Sequence, residues 1–331
     1  ARVNPSRILE LANAFWGSAA LLAAVEHDLF GHLAAEPATA AEVAARAGLH
    51  ERPTAMLLDA VVSLGLCEKE GDRYRNSPEA TTFLIQGRPG SLATALGYNA
   101  RLFPAWGRLA EAVRKDAPIV ETPTYTGDDP ERTRGFVHGM HTRALGMARG
   151  LIGAVDVAGR RHLVDVAGGP GTLSVMLCQR HPELRATVLE LPGIAAVGRE
   201  LVAAQGLADR VTHRDADVLT DDLGAGYDAA LVSGLLHREP PAACQELLAR
   251  LHRALAPGSV VYIVDVMRDA SRVGPPFAAL FALNMLLTSE RGGCHADVDH
   301  VAWLEETGFT GASITRPTPP MMHTVVRAVR R

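Results

Sequence analysis

From residue 6 to residue 35 the apolar positions recur at three- and four-residue intervals: Ile8, Leu9, Leu11, Ala12, Phe15 and Trp16, then Leu22, Val25, Leu29 and Leu33. That period puts them on one helical face and predicts helix across the stretch. Thr39-Ala-Ala-Glu42 has the residues of a capping box, and the helix it opens stops at Gly48. A second helix is expected over 52–64, ended by Gly65, and 66–75 reads as two short strands turning about Gly71 and Asp72. Helix, helix and β-hairpin in this order predict a winged-helix arrangement. Helical spacing resumes from 91 to 158, with helices expected over 92–115 and 131–155 around a Pro/Gly/Asp-rich loop at 118–130.

The pattern changes near Val157 to Arg161, the expected domain boundary. Short apolar runs then alternate with helix-period segments. Strands are expected at 162–167, 185–191, 210–215, 227–236 and 259–267, and helices at 173–181, 193–205, 241–255, 277–287 and 297–306. Two last strands, 312–316 and 324–329, have no helix between them. The order predicts an α/β chain: a seven-stranded Rossmann-like domain over 158–331, its last strand antiparallel, preceded by a mostly helical, winged-helix-like domain over 1–157. Ligands of such sheets bind beyond the carboxyl ends of the strands, so the residues that end each strand are the candidates.

The first strand ends in Asp165-Val-Ala167-Gly168-Gly169-Pro-Gly171. Glycines suit a turn whose backbone lies against a ligand. No Lys-Ser/Thr follows, so a P-loop is excluded, and Ser174 stands where a dinucleotide fingerprint needs its third glycine. A phosphate cradle favours N–H groups and positive charge, whereas a carboxylate at Asp165 suits a cationic, amine-bearing nucleoside. S-adenosylmethionine meets that description.

The second strand ends in Glu190-Leu191-Pro192, an acid about 20 residues past the glycines, placed to accept from a ribose diol or to cap the next helix. The third ends in Asp215-Ala-Asp217-Val218-Leu219: one aspartate, with Asp217 preferred, accepts from an adenine amine while the apolar pair packs on its ring, unless both are turn acids. The fourth carries Ser233 and His237, the histidine a candidate general base. The fifth carries Asp265, a carboxylate able to orient an imidazole and stabilise its protonated form.

Composition narrows the setting. The chain has 331 residues, 47% hydrophobic and 21% charged, which suffices for a large core, and its net charge of −4 does not favour a nucleic-acid surface. The second helix of the winged region is almost wholly apolar, where a recognition helix needs Arg, Lys, Asn or Gln. This module is therefore expected to pack on a second copy of the chain rather than on DNA. No membrane span and no secretory segment are expected. Cys67, Cys178, Cys244 and Cys294 lie too far apart for a disulfide or zinc framework, which predicts reduced thiols and a cytoplasmic protein.

These residues resemble those of the small-molecule O-methyltransferases of the caffeate/acetylserotonin type, including bacterial natural-product enzymes, over nearly the whole chain. Leu163 to Gly171 is similar to the family's Leu-Val-Asp-Val-Gly-Gly-Gly-x-Gly with Ala167 for the first glycine. Glu190-Leu-Pro192 resembles its Asp-Leu-Pro, Ala216 to Leu219 its Gly-Asp before an apolar pair, and Leu236-His237-Arg238-Glu239 its Leu-His-Asp-Trp, with only the histidine kept. Phe136 to Met140 resembles its Phe-x-x-x-Met segment, which contacts substrate. A lysine often found on the family's fourth strand is Ser233 here. Gly292-Gly-Cys-His295 places His295, or Cys294 in another register, where a second catalytic acid normally stands.

The resemblance implies a homodimer formed through the N-terminal domain and methylation of a hydroxyl on a small aromatic metabolite. His237 would be the base, with Asp265 and His295 beside it. Asp165, Ala167, Gly168, Gly169, Gly171, Glu190, Leu191, Asp217, Val218 and Ser233 would hold S-adenosylmethionine. Trp106, Phe136, Met140, Phe281 and Met285 are candidates for an apolar substrate wall, or plain core. Two alternatives stay open. His237, His295 and Asp265, or His300 in place of one, could hold a metal for C-methylation of a 2-oxo acid. The chain could also be a non-catalytic, cofactor-binding dimer.

Overall fold

The computed structural model describes residues 3–120, 129–316 and 321–331, with the side chains of Met147 and Arg149 left aside. Most of the loop expected at 118–130 lies outside the described residues. Two compact units emerge, 1–104 and 105–331.

In the first unit the long helical pattern is broken into α1 (Ser6–Asn13), α2 (Phe15–Glu26) and α3 (Leu29–His32). β1 (Ala38–Thr39) leads into α4 (Ala40–Ala47), whose capping box forms as the sequence predicts: the Glu42 N–H donates to Thr39 Oγ1 at 3.2 Å and the Thr39 N–H to Glu42 Oε2 at 2.7 Å. α5 (Glu51–Ser63) precedes the hairpin of β2 (Cys67–Glu70) and β3 (Arg73–Asn76), with β3 central between β1 and β2. α6 (Pro78–Phe83) and α7 (Ala93–Trp106) follow. Leu29, Phe30, Leu58, Val61 and Tyr74 fill this unit's core. α1 buries no residue, and Ile8, Leu9, Leu11, Phe15 and Trp16 are exposed. Ser6–Glu26 is long and apolar enough to cross a membrane by length and composition alone.

The second unit begins with α8 (Leu109–Lys115) and α9 (Pro130–Ile152). The single helix expected over 92–115 is thus two helices, parted at Gly107-Arg108 just after Pro104 within α7. β4 (His162–Val166), α10 (Thr172–Arg180), β5 (Arg185–Glu190), α11 (Pro192–Ala204), β6 (Val211–Asp215) and β7 (Tyr227–Ser233) continue the alternation. A 3-10 turn (Leu236–Arg238), α12 (Pro241–Ala254), β8 (Leu255–Asp265), α13 (Pro276–Thr288), α14 (Asp297–Glu306), β9 (Phe309–Thr315) and β10 (Thr324–Arg330) complete it.

Val137 of α9 packs with Ile194 and Val197 of α11, and His141 reaches Thr172 at the start of α10. The division at 104/105 therefore corrects the boundary expected at 157/158: α9 is helical in pattern but its apolar side is buried on the sheet domain. All four cysteines are buried free thiols.

The sheet order is β6-β5-β4-β7-β8-β10-β9, with β10 antiparallel to both its neighbours. Val166 of β4 lies opposite Leu189 of β5 and Val232 of β7, while Ser233 pairs with Val264 and Thr324 with Asp265. This register aligns the ends of the central strands, and with them the candidate residues, along one edge. The strand expected to run to 236 stops at Ser233, because Gly234 adopts φ 67° and turns the chain into the 3-10 segment.

Candidate active site

The turn after β4 is held open and clamped. Ala167, Gly169 and Gly171 have φ of 52°, 58° and 73°, and a Cβ on Gly168 would sit 2.4 Å from the Asp165 carboxylate. The Gly169 N–H donates to Glu190 Oε2 at 2.8 Å, and its carbonyl accepts from His213 Nε2 at 3.1 Å. The other Glu190 oxygen accepts the Leu191 N–H at 2.8 Å. Glu190 therefore braces the turn from the tip of β5 and also holds the N–H of Leu191, the residue just before α11.

Asp165 lies beneath this turn, buried. Its Oδ2 accepts from the Ser174 hydroxyl at 2.6 Å, while Oδ1 is buried without a partner among the described residues. Burial pushes the Asp165 carboxyl up to about 7; the Ser174 hydroxyl opposes the rise and the Glu190 carboxylate adds to it. Burial likewise raises Glu190, against two backbone N–H groups that favour its ionised form. The site is thus an acidic pocket that positive charge would relieve, and these residues fit a sulfonium nucleoside.

At the third strand, Asp215 is tied by Arg199, whereas among the described residues Asp217 Oδ1 accepts only the Leu219 N–H, at 3.0 Å. Arg250 of α12 donates to the carbonyls of Val218, Leu219 and Asp221 and fixes this loop from behind. The Val218 side chain joins the sheet's core, while Leu219 is exposed. Ser233 is half-buried at the end of β7.

His237 and Asp265 meet as expected. His237 Nδ1 donates to Asp265 Oδ1 at 2.5 Å, which leaves the lone pair on Nε2. Burial alone would raise the Asp265 carboxyl, yet the His237 imidazole beside it holds the group below its ordinary value. Phe281 stands edge-on to the His237 ring, its centroid 5.0 Å away.

His295 takes another position. Its Nε2 donates to the Glu239 carbonyl at 2.9 Å, and its ring packs on Trp303 at 5.0 Å. Nearby, His300 donates from Nδ1 to the Ala296 carbonyl and is buried against the same indole. Cys294 Sγ bonds to the Val266 carbonyl. Among the described residues no three His, Cys, Asp or Glu side chains are gathered as a metal would need. The metal set of His237, His295 and Asp265, with or without His300, is therefore not assembled, and the His295 ring is turned to the Glu239 carbonyl and Trp303.

The apolar candidates separate as well. Phe281 lies on His237, and Met285, one turn further along α13, is buried. Phe136 packs with Ile194 and Val197, Met140 is 40% exposed, and Trp106 is half-buried at the end of α7.

Sequence reasoning passed over three groups. His213 sits under the turn in space left by Gly198, whose Cβ would fall 2.3 Å from His213 Nε2. His323 is buried just before β10, where Asp265 and His237 act on its charge. Arg143 stands on α9, half-buried.

The O-methyltransferase domain family matches residues 106–310, and the O-methyltransferase dimerisation domain matches residues 9–86. The tetracenomycin polyketide synthesis 8-O-methyl transferase TcmO of Streptomyces glaucescens is 38% identical over 96% of this chain and 95% of its own. The 3-hydroxy-5-methyl-1-naphthoate 3-O-methyltransferase of Streptomyces sahachiroi is 35% identical over 98% and 95%. PigF, solved with SAH, the demethylated cofactor, superposes with a TM-score of 0.86 at 25% identity over 99% of this chain and 100% of that one. With a turn that suits a sulfonium nucleoside and both domain types in order, the chain belongs to the S-adenosylmethionine-dependent O-methyltransferase family.

Proposed function

We propose that the protein methylates a hydroxyl of a small aromatic metabolite of polyketide type, with His237 Nε2 taking the hydroxyl proton. The carrying observation is the His237–Asp265 pair, which fixes the tautomer a base requires. The reactions named for the tetracenomycin and naphthoate relatives support the aromatic class. S-adenosylmethionine, when bound, supplies an activated methyl group on a sulfonium. Asp165 favours its positive charge from beneath the turn, Glu190 accepts from the ribose, and Asp217 accepts from the base. Phe281, which lies on His237, and the buried Met285 one turn further along α13 supply the apolar wall.

What remains for the protein is alignment and one proton. Fixing two reactants in line removes about 7–11 kcal/mol of barrier. A phenol near pKa 10 and a histidine near 6.5 differ by about 3.5 units, so prior ionisation would cost about 5 kcal/mol. Proton transfer to His237 in step with methyl attack avoids that state, and the ionised Asp265 stabilises the imidazolium.

The N-terminal unit pairs two copies of the chain. Its exposed Ile8, Leu9, Leu11, Phe15 and Trp16, within a segment matching a dimerisation domain, support this reading. Methyl transfer from labelled S-adenosylmethionine across a panel of phenols tests the activity. Binding of the cofactor without turnover of any acceptor would make the chain a binding module instead.

A further inference from the structure

Arg143 presents a cation on the face of α9 that carries the substrate-wall candidates. Phe136, Met140 and Arg143 are spaced i, i+4 and i+7, hence on one helical face. Seven residues on, Gly150 continues that face; a Cβ there would lie 2.8 Å from Met321 Sδ. The face therefore fronts the segment that enters β10, whose Thr324 pairs with Asp265. Between them His323 is buried, and burial pushes its imidazole down to about 4; the Asp265 carboxylate opposes that shift, and Arg143 and His237 add to it. Arg143 and the His237–Asp265 pair thus act on one buried ring.

Arg143 is a half-buried residue whose guanidinium makes no hydrogen bond or ion pair among the described residues. Arg134, two turns earlier on the same helix, holds Glu200 through both its terminal nitrogens at 2.6 and 2.9 Å. Asp265 is no substitute partner for Arg143, because its oxygens already accept from the His237 ring, the His237 N–H and the Val266 N–H. A partly desolvated cation is costly unless an anion meets it, and a planar guanidinium fork matches a carboxylate in two-point contact.

We propose that Arg143 binds a carboxylate on the acceptor, separate from the hydroxyl that is methylated, so that the substrate class is hydroxyaromatic carboxylates. This rests on the aromatic O-methyltransferase reading above. The probes are isomeric hydroxynaphthoates and hydroxybenzoates, each with its neutral carboxamide, titrated into the SAH complex by calorimetry. At least one carboxylate should bind the wild-type protein about 10- to 100-fold more tightly than its amide. Arg143→Met should collapse that ratio towards one, and Arg143→Lys should retain part of it. SAH binding by each variant reports that it is folded. His237→Ala should keep the binding ratio while losing turnover, which separates this assignment from that of the base. A wild-type protein with no preference for any carboxylate, or an Arg143→Met variant that keeps the ratio, overturns the proposal.

Discussion

His237 and Asp265 are joined twice: the imidazole Nδ1 lies 2.5 Å from Oδ1, and the His237 backbone N–H donates to Oδ2 at 3.2 Å. One carboxylate on β8 thereby fixes both the ring and the main chain of a residue that follows β7. His237→Ala is expected to lower turnover by about 10²–10⁴-fold with SAH affinity unchanged. Asp265→Asn keeps the shape but removes the charge that stabilises an imidazolium, and should cost on the order of 10²-fold. Single-turnover rates at saturating cofactor check both; an unaltered rate in His237→Ala would remove it as the base.

Asp165 gives a proton signature to cofactor binding. Its carboxyl is raised by burial to about 7, so between about pH 4 and 7 the folded protein holds a proton that the unfolded chain has released. Its contribution to stability is greatest below that window, falls as pH rises through it, and is level above. A bound cation favours the ionised form, so binding should release protons near pH 6 and almost none near pH 8.5. Calorimetry in buffers of different ionisation heat measures this, and Asp165→Asn should abolish it. Binding heats independent of buffer near pH 6 would contradict the assignment.

Gly198→Ala should loosen the turn without touching its sequence. The new Cβ would fall 2.3 Å from His213 Nε2 and displace the ring that bonds to the Gly169 carbonyl. A loss of about 1–3 kcal/mol in stability is expected, with weaker SAH binding. Thermal unfolding with and without SAH reads out both effects.

Because His295 is turned to the Glu239 carbonyl, methyl transfer should survive exhaustive chelation, and added divalent ions should not raise it. Activity lost with EDTA and restored by one metal would reinstate the 2-oxo acid reading.

The strand-end chemistry was legible because each piece is local: the Asp165 to Gly171 turn, Glu190 at the tip of β5, and a lone carboxylate, Asp265, breaking an apolar strand. What escaped depends on contacts far apart in sequence. His213 alternates inward on β6 like a core residue, and only Gly198 and Gly171 opposite show that room was made for an imidazole. His295 follows a glycine pair at the position where an acid was sought, but the loop's backbone turns its ring to Trp303. The boundary at 157 was misplaced because helical periodicity reports which face of α9 is apolar, not which domain covers it.

Gly169 is fastened on one side by Glu190 and on the other by His213 before any ligand arrives. The groups proposed around that turn would engage the ribose, the base and the local charge, and the first two are shared by the methylated nucleoside and its spent form. Such a rigid seat would tell the two forms apart only through the charge at Asp165. Competition by the spent nucleoside is the expected outcome.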